Sequence, residues 1–312
     1  MNTVSVDPRI LERFKRLVAS SRMGHAYLFV GPKETGKTQT ALGVAQLVNC
    51  ESSEAAPCGI CPSCQKIASR NHPDVMVVNQ NEGSIKIDQI RSLLGRLQLK
   101  AYEAKTKVFI IRDVENMTLE AANSLLKTLE EPASNTLMIL TTATPESNLD
   151  TIRSRCHVVK FFPVSKNRLQ ETLNVSPDVA RLLTVYTDGC LGQSRILLEE
   201  DFISRKNKIL DAFLKSSNED ALKKLSSEKE EAREALHVFL SMVRDAILFK
   251  SGVAAIELMH VDRLLDVQSL AGRPYEELAA IYNQVIKTKQ LLDENLNAKM
   301  GFSILRQRIW QN

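Results

Sequence analysis

The sequence carries little excess charge of either sign, and it has no long apolar run. Its 41 basic and 37 acidic residues leave a net charge of +4, which is too small to identify a nucleic-acid-binding protein, because mixed charges of this kind solvate most protein surfaces. Its apolar patterns are interrupted by ions such as Arg244 and Asp245, and its N-terminus lacks the apolar core of a signal peptide. These absences argue against a membrane protein and favour a cytoplasmic one with no membrane partner.

The sequence also shows no internal repeat. What is present is the composition of an ordinary globular protein, with 312 residues of which 44% are hydrophobic and 25% are charged. A chain of this length exceeds the usual size of a single domain, so we expect two or three domains.

Short β-type runs alternate with helical patterns in the first half of the chain. The runs are Tyr27–Val30, Asp74–Val78, Lys107–Ile111, Leu137–Thr141 and His157–Phe161. This alternation predicts an α/β fold, with a parallel sheet flanked by helices. After Pro163 the β-type runs end and the pattern is helical. We therefore predict an α/β domain over residues 1–164, a small helical domain over 165–215 and a larger all-α bundle over 216–312.

Two amphipathic helices can be placed from the sequence. One has an apolar face between Leu119 and Leu129, with Thr118 as its cap and its end before Pro132. The other, in the last domain, has an apolar face formed by Leu278, Ile281, Tyr282 and Val285.

A phosphate-binding motif follows the first β-type run. Residues 31–38 fit the P-loop template G-x-x-x-x-G-K-[ST] at every fixed position. In such a loop, Gly31 and Gly36 let the backbone fold around phosphate, while Lys37 reaches the outer phosphates and Thr38 holds Mg²⁺. The motif predicts binding of ATP or ADP with Mg²⁺. The alternative is a glycine-rich turn that matches by chance.

Four of the six cysteines lie within residues 50–64. Cys50, Cys58, Cys61 and Cys64 supply four thiolates at spacings that can wrap a tetrahedral ion. This pattern predicts a structural Zn²⁺ site with no open position for catalysis, because a closed Cys₄ shell leaves no place for water. The alternatives are four unligated cysteines and, with less support, an iron–sulfur cluster.

The second acidic motif of a P-loop ATPase is incomplete. Such enzymes need a metal-holding carboxylate at the end of a second buried strand, and commonly a neighbouring acid that activates water. Here Lys107–Ile111 is followed by Arg112, Asp113, Val114 and Glu115. If the metal-holding acid belongs directly after the strand, Arg112 has replaced it. If Asp113 holds the metal, Val114 stands where the water-activating acid should be. We predict weak or absent ATP hydrolysis, and we expect Asp113 and Glu115 to be surface or interface charges.

The order of several motifs resembles that of bacterial DNA polymerase III clamp-loader subunits, most closely the delta-prime type. After the P-loop and the cysteines come His72-Pro73-Asp74, Ile85–Arg91, Ala121–Pro132 and Ile152–Cys156, and a less distinctive similarity lies at residues 295–299. The gamma and tau motor subunits share the cysteine module, but they would carry an intact acidic pair where Arg112 and Asp113 stand.

The resemblance implies an AAA+ module over residues 1–164, with a helical lid over 165–215 and a collar over 216–312. It implies assembly with gamma/tau and delta subunits in a five-subunit ring, which opens the sliding clamp and places it on primer–template DNA.

The resemblance also implies roles for individual residues. By position in the Ser-Arg-Cys motif, Arg155 is an arginine finger that reaches the ATP of a neighbouring subunit. The alternatives are that Arg155 pairs with a local carboxylate, or that Arg153 is the interface residue. Thr141 or Thr142 matches a first sensor position, with Thr142 preferred, and Arg195 matches a second.

Two other functions compete with a weakly hydrolysing delta-prime-like subunit. One is a gamma-type motor ATPase of the same loader, in which Asp113 suffices for Mg²⁺. The other is a zinc-dependent DNA-binding module, which would need basic and aromatic residues near the cysteines. Only Lys66 and Arg70 follow them, without an aromatic residue, so this function has little support.

Overall fold

The computed structural model describes residues 6–52, 55–78, 84–144, 150–215, 222, 224–226, 228–293, 301–305 and 307. The chain divides into two compact units. One comprises Met1–Val164 with Cys190–Gln193, and the other comprises Ser165–Gly189 with Ser194–Asn312. Within the described residues, no helix is both long enough and apolar enough to span a membrane.

The first unit contains a five-stranded parallel sheet. Its strands are β1 (Ala26–Val30), β2 (Val75–Val78), β3 (Lys107–Ile111), β4 (Thr136–Thr142) and β5 (His157–Lys160). They lie in the order β2-β3-β4-β1-β5, and Leu28 of β1 pairs with Leu140 on one side and Val158 on the other. The predicted α/β fold with a parallel sheet is confirmed.

Alternate residues of the central strands pack into two separate hydrophobic cores. Phe29, Ile110 and Ile139 pack in the core on one face of the sheet, whereas their strand neighbours Leu28 and Phe109 pack in the core on the other. Successive strand side chains point to opposite faces. Every residue of β3 and β4 is buried, which explains the apolar runs Val108–Ile111 and Leu137–Leu140 within them.

Helices cover both faces of this sheet. They are α1 (Pro8–Ala19), α2 (Lys37–Asn49), α3 (Pro62–Ala68), α4 (Ile87–Gln98), α5 (Leu119–Glu130) and the single turn α6 (Asp150–Arg153). The Thr118 hydroxyl accepts a hydrogen bond from the Ala121 N–H at the start of α5, and the helix ends two residues before Pro132. The predicted cap and end of this helix are confirmed.

The second unit is helical throughout its described residues. Its helices are α7 (Lys166–Leu173), α8 (Pro177–Tyr186), α9 (Leu191–Glu199), α10 (Phe202–Leu214), α11 (Lys229–Lys250), α12 (Leu264–Ala271) and α13 (Tyr275–Asp293). Of α9, the residues from Ser194 onward belong to this unit. The Phe213 and Phe239 rings stack with centroids 4.3 Å apart. Leu278, Ile281 and Val285 are buried, so the predicted apolar face of α13 is confirmed.

A buried chain of hydrogen bonds joins helices within the second unit. The Ser241 hydroxyl lies 2.9 Å from the Tyr186 hydroxyl and 2.8 Å from Nε2 of His260. Burial lowers the pKa of His260 to about 3, which keeps the imidazole neutral. Residues 186 and 241 fall in the predicted lid and collar, and both belong to one compact unit. The division at residues 215 and 216 stays a prediction, and residues 216 and 295–299 lie outside the described residues.

Candidate functional site

The glycine-rich loop joins the end of β1 to the start of α2. Gly36 is the N-cap residue of α2 and has a left-handed backbone, with φ of 85°, which glycine adopts without a Cβ clash. A Cβ on Gly31 would lie 2.4 Å from the backbone oxygen of Phe161. Local geometry therefore requires both predicted loop glycines.

Lys37 lies in the first turn of α2 with its side chain buried. Its Nζ donates to the backbone carbonyls of Gly31 and Pro32, at 2.6 Å each. Burial lowers the pKa of Lys37, and nearby carboxylates, Asp113 foremost, oppose this shift. The ammonium is thus held inside the loop by oxygen acceptors, and a phosphate would offer it the same kind of partner.

The loop opens onto a cleft of about 260 Å³. Four cationic and two acidic side chains contribute to its lining, which consists of Lys33, Glu34, Gly36, Lys37, Thr38, Gln39, Arg70, Arg112, Asp113 and Thr141. The excess of cations and the N-terminus of α2 both favour a negatively charged ligand. The predicted residues Gly36, Lys37 and Thr38 are brought together here.

The residues after β3 differ in their placement. Asp113 lines the cleft, and its backbone N–H donates to the Thr141 hydroxyl at 3.1 Å. Glu115 accepts a hydrogen bond from the Ala143 N–H at 2.9 Å. Val114 between them is buried. Asp113 and Glu115 are both partly exposed, Asp113 in the cleft and Glu115 beside the backbone after β4. The expectation that they are surface or interface charges stays a prediction.

The structure distinguishes the two candidate threonines. Thr141 lines the cleft, whereas the Thr142 hydroxyl forms hydrogen bonds with the backbone N–H and carbonyl of Thr144, at 3.2 Å each. The geometry therefore favours Thr141 over Thr142 for the predicted contact with a nucleotide. Arg195 belongs to α9 in the second unit, and its role stays a prediction.

The four clustered cysteines converge on one point. The sulfur atoms of Cys50, Cys58, Cys61 and Cys64 all lie within 4.8 Å of one another. The N–H groups of Cys61 and Ile60 lower the pKa of Cys58 to about 6, whereas burial raises that of Cys64 to about 12. This group of four sulfur ligands could hold a metal ion.

Helix α2 connects the cysteine cluster to the phosphate loop. It begins at Lys37 and ends at Asn49, with Cys50 as its C-cap residue. Cys61 caps α3, and its sulfur accepts a hydrogen bond from the Cys64 N–H at 3.4 Å. The Gln46 side chain donates to the Cys64 carbonyl at 2.9 Å, which fixes α3 against α2.

Arg155 follows α6 and is engaged within its own chain. Its Nε donates to Oε1 of Glu130 at 2.7 Å, and its Nη2 donates to the same oxygen. Its Nη1 donates to the Thr151 carbonyl at 2.8 Å and the Ser154 hydroxyl at 3.1 Å. The Arg155 side chain is 33% exposed and that of Glu130 is 50% exposed, so this ion pair contributes no more than about 1 kcal/mol.

Sequence reasoning missed Glu130 and Arg70. Glu130 is 25 residues from Arg155 in the chain, and no spacing rule connects the end of one helix to the turn after another. Arg70 lies beyond the cysteine cluster and lines the phosphate cleft, although no motif includes it. Both placements follow from how separate helices pack on one sheet.

Two family models match this chain. The model described as "DNA polymerase III, delta subunit" matches residues 6–165. The model described as "DNA polymerase III, delta subunit, C terminal" matches residues 200–303.

Individual relatives agree with these models. The chain is 30% identical over 309 residues to DNA polymerase III subunit delta-prime of Bacillus subtilis, which covers 94% of this chain and 93% of that protein. It is 38% identical over 146 residues to the delta-prime subunit of Pseudomonas aeruginosa, covering 46% and 44%. It is 33% identical over 176 residues to subunit tau of B. subtilis, covering 55% of this chain and 31% of tau. The match to B. subtilis delta-prime therefore extends over both units.

The Gly31→Ala substitution should destabilise the first unit, because the added Cβ would lie 2.4 Å from the Phe161 carbonyl oxygen. We expect Gly31→Ala to lower the free energy of unfolding by about 1–3 kcal/mol, measured by urea unfolding.

Gly95→Ala is the matched control. A Cβ at Gly95, in the middle of α4, meets nothing within 4 Å, so this variant should gain up to about 1 kcal/mol from helix propensity. Equal effects of the two substitutions would contradict the close approach at Gly31.

Proposed function

This chain belongs to the DNA polymerase III delta-prime family, and we propose that it completes the ATP site of a neighbouring clamp-loader subunit while hydrolysing ATP weakly or not at all itself. In this role it assembles with gamma/tau and delta subunits in the cytoplasm. Residues 165–215 act as a lid and residues 216–312 as a collar in the assembled ring. The ring opens the sliding clamp and loads it on primer–template DNA.

One observation carries the proposal: a complete phosphate loop faces an incomplete acidic motif. Gly36, Lys37 and Thr38 line the cleft, and Asp113 is the acid after β3 that faces it. If Thr38 and Asp113 hold Mg²⁺, no second acid after β3 remains to activate water, because Glu115 bonds the backbone of Ala143. ATP hydrolysis needs both functions.

Arg155 is the residue that we assign to the neighbour's reaction. Four of its five N–H donors are engaged by Glu130, Thr151 and Ser154. A phosphate of higher charge can replace the exposed Glu130 carboxylate, since a surface ion pair is weak. Arg155 then stabilises the charge that develops on the transferred phosphoryl group.

A gamma-type motor ATPase is the second candidate. Asp113 on the cleft favours it, since one carboxylate can hold Mg²⁺, and the chain is 33% identical to B. subtilis tau over 176 residues.

The four-cysteine cluster binds Zn²⁺ as a structural ion in this proposal. Cys50, Cys58, Cys61 and Cys64 supply the thiolates, whose sulfur atoms lie within 4.8 Å of one another. The bound ion would tie the end of α2 to the start of α3, and a closed Cys₄ shell would leave it no catalytic role.

The isolated chain should show almost no ATP turnover, because Asp113 is the one acid after β3 that lines the cleft in the described residues. We expect a phosphate-release assay to give the same low rate for the wild type and for Lys37→Ala. A brisk rate that Lys37→Ala abolishes would instead establish the motor ATPase.

Arg155→Ala should impair the reconstituted loader without unfolding the chain. We expect ATP turnover at the neighbouring site to fall by about 10³-fold or more, as for other arginine fingers. Folding should persist, because the Glu130 ion pair is exposed. The measurement is the ATPase and clamp-loading rate of the assembled complex.

Arg153→Ala is the control for this experiment. Arg153 lies two residues away, at the end of α6, and its substitution should leave turnover near the wild-type rate. A defect confined to Arg153→Ala would move the interface role to that residue, and normal loading by Arg155→Ala would reject the finger.

Cys61→Ser should reduce both metal content and stability. The wild type should carry one zinc ion per chain by mass spectrometry of metals, because four thiolate ligands close the site. The variant should lose most of it and melt at a lower temperature. Cys156→Ser, outside the cluster, should keep its zinc. Unchanged melting of Cys61→Ser would argue against a structural metal.

A further inference from the structure

Arg70 occupies a backbone position that usually belongs to glycine. Helix α3 ends at Ala68 with Ser69 as its C-cap residue. The Arg70 N–H then donates to the Ile67 carbonyl at 3.0 Å, and the Asn71 N–H donates to the Lys66 carbonyl at 2.8 Å. These two bonds form a Schellman motif, whose left-handed residue is most often glycine.

The left-handed conformation is unfavourable for arginine. Arg70 has φ of 59°, where a Cβ atom crowds the backbone. The same motif ends α11, where Gly252 takes the left-handed position with φ of 90°. Arg70 therefore carries a conformational cost that Gly252 avoids.

Among the described residues, no ion pair of the Arg70 side chain offsets this cost. Arg70 is exposed, and no described carboxylate forms an ion pair with its guanidinium, whereas Lys66 on the same helix pairs with Glu103 at 2.6 Å. The Arg70 side chain instead lines the phosphate cleft with Lys37, Arg112 and Asp113. The four cations of the cleft outnumber its two carboxylates, so the cleft favours an anionic ligand.

Helix α3 provides the route from the cysteine cluster to this cleft. Its N-cap residue, Cys61, belongs to the cysteine cluster at the end of α2. Arg70 follows two residues after the last residue of α3, and it lines the cleft at the start of α2. The cysteine module thus contributes a cation to a loop from which it is separated in the sequence.

We propose that Arg70 is a phosphate-binding residue for the nucleoside triphosphate held by the phosphate loop. This rests on the proposed function only in taking the cleft as a nucleotide site, and it is independent of Arg155. The planar guanidinium can donate two parallel hydrogen bonds to one phosphate. Hydrogen bonds to charged groups of this kind correspond to about ten-fold or more in affinity.

The test is calorimetric titration of the full-length chain with Mg·ATP and, separately, with inorganic tripolyphosphate. Arg70→Gly should bind both at least about ten-fold more weakly, because the contact is to phosphate and not to the base. Arg70→Lys should fall between, since it keeps the charge and loses the planar fork.

The Arg70→Gly variant distinguishes an effect on ligand binding from an effect on folding. Arg70→Gly relieves the left-handed conformation, so its melting temperature should equal or exceed that of the wild type while its affinity falls. Lys66→Ala is the matched control on the same helix, and it should bind both ligands as the wild type does.

Two results would overturn the proposal. One is Mg·ATP affinity within two-fold of the wild type in Arg70→Gly, and the other is the absence of binding of either ligand by the wild-type chain. Neither result bears on Arg155, which acts on the neighbour's nucleotide and is tested by the ATPase of the assembled loader.

Discussion

The first unit depends on the packing of helix α2 beneath the sheet. Ala41, Val44 and Ala45 are fully buried, so this helix approaches the strands closely along its length. Its first turn holds Lys37 in the phosphate loop, and its last residue precedes Cys50. A helix of 13 residues is a rod of about 20 Å. The phosphate loop and the cysteine cluster are therefore positioned by one helix.

Helix α3 also connects the cysteine cluster to the cleft. It starts in the cysteine cluster, is held by the bond from Gln46 to the Cys64 carbonyl, and delivers Arg70 to the cleft. A metal ion on the cysteines would make this path stiffer, because it would join the end of α2 to the start of α3. The cysteine module would then support the phosphate loop without taking part in chemistry.

The sequence predicted the sheet well and its strand ends less well, for identifiable reasons. The central strands are buried on both faces, so their apolar runs stand out. Asp74 was expected to begin β2 but precedes it, since its carboxylate accepts hydrogen bonds from the N–H groups of residues 102–104. Burial alone would raise the pKa of Asp74, and these donors, with Glu103 first, outweigh it and lower the pKa. Phe161 was expected in β5 and follows it.

By itself, the sequence determined the phosphate loop and the four cysteines, because each is a local motif whose chemistry depends on spacing along the chain. Tertiary structure alone decided that Thr141 and not Thr142 faces the cleft, that Glu130 holds Arg155, and that Arg70 joins the phosphate loop. These side chains come from segments far apart in sequence. Their meeting depends on strand order and on where each helix ends, and no periodicity or motif records either of these.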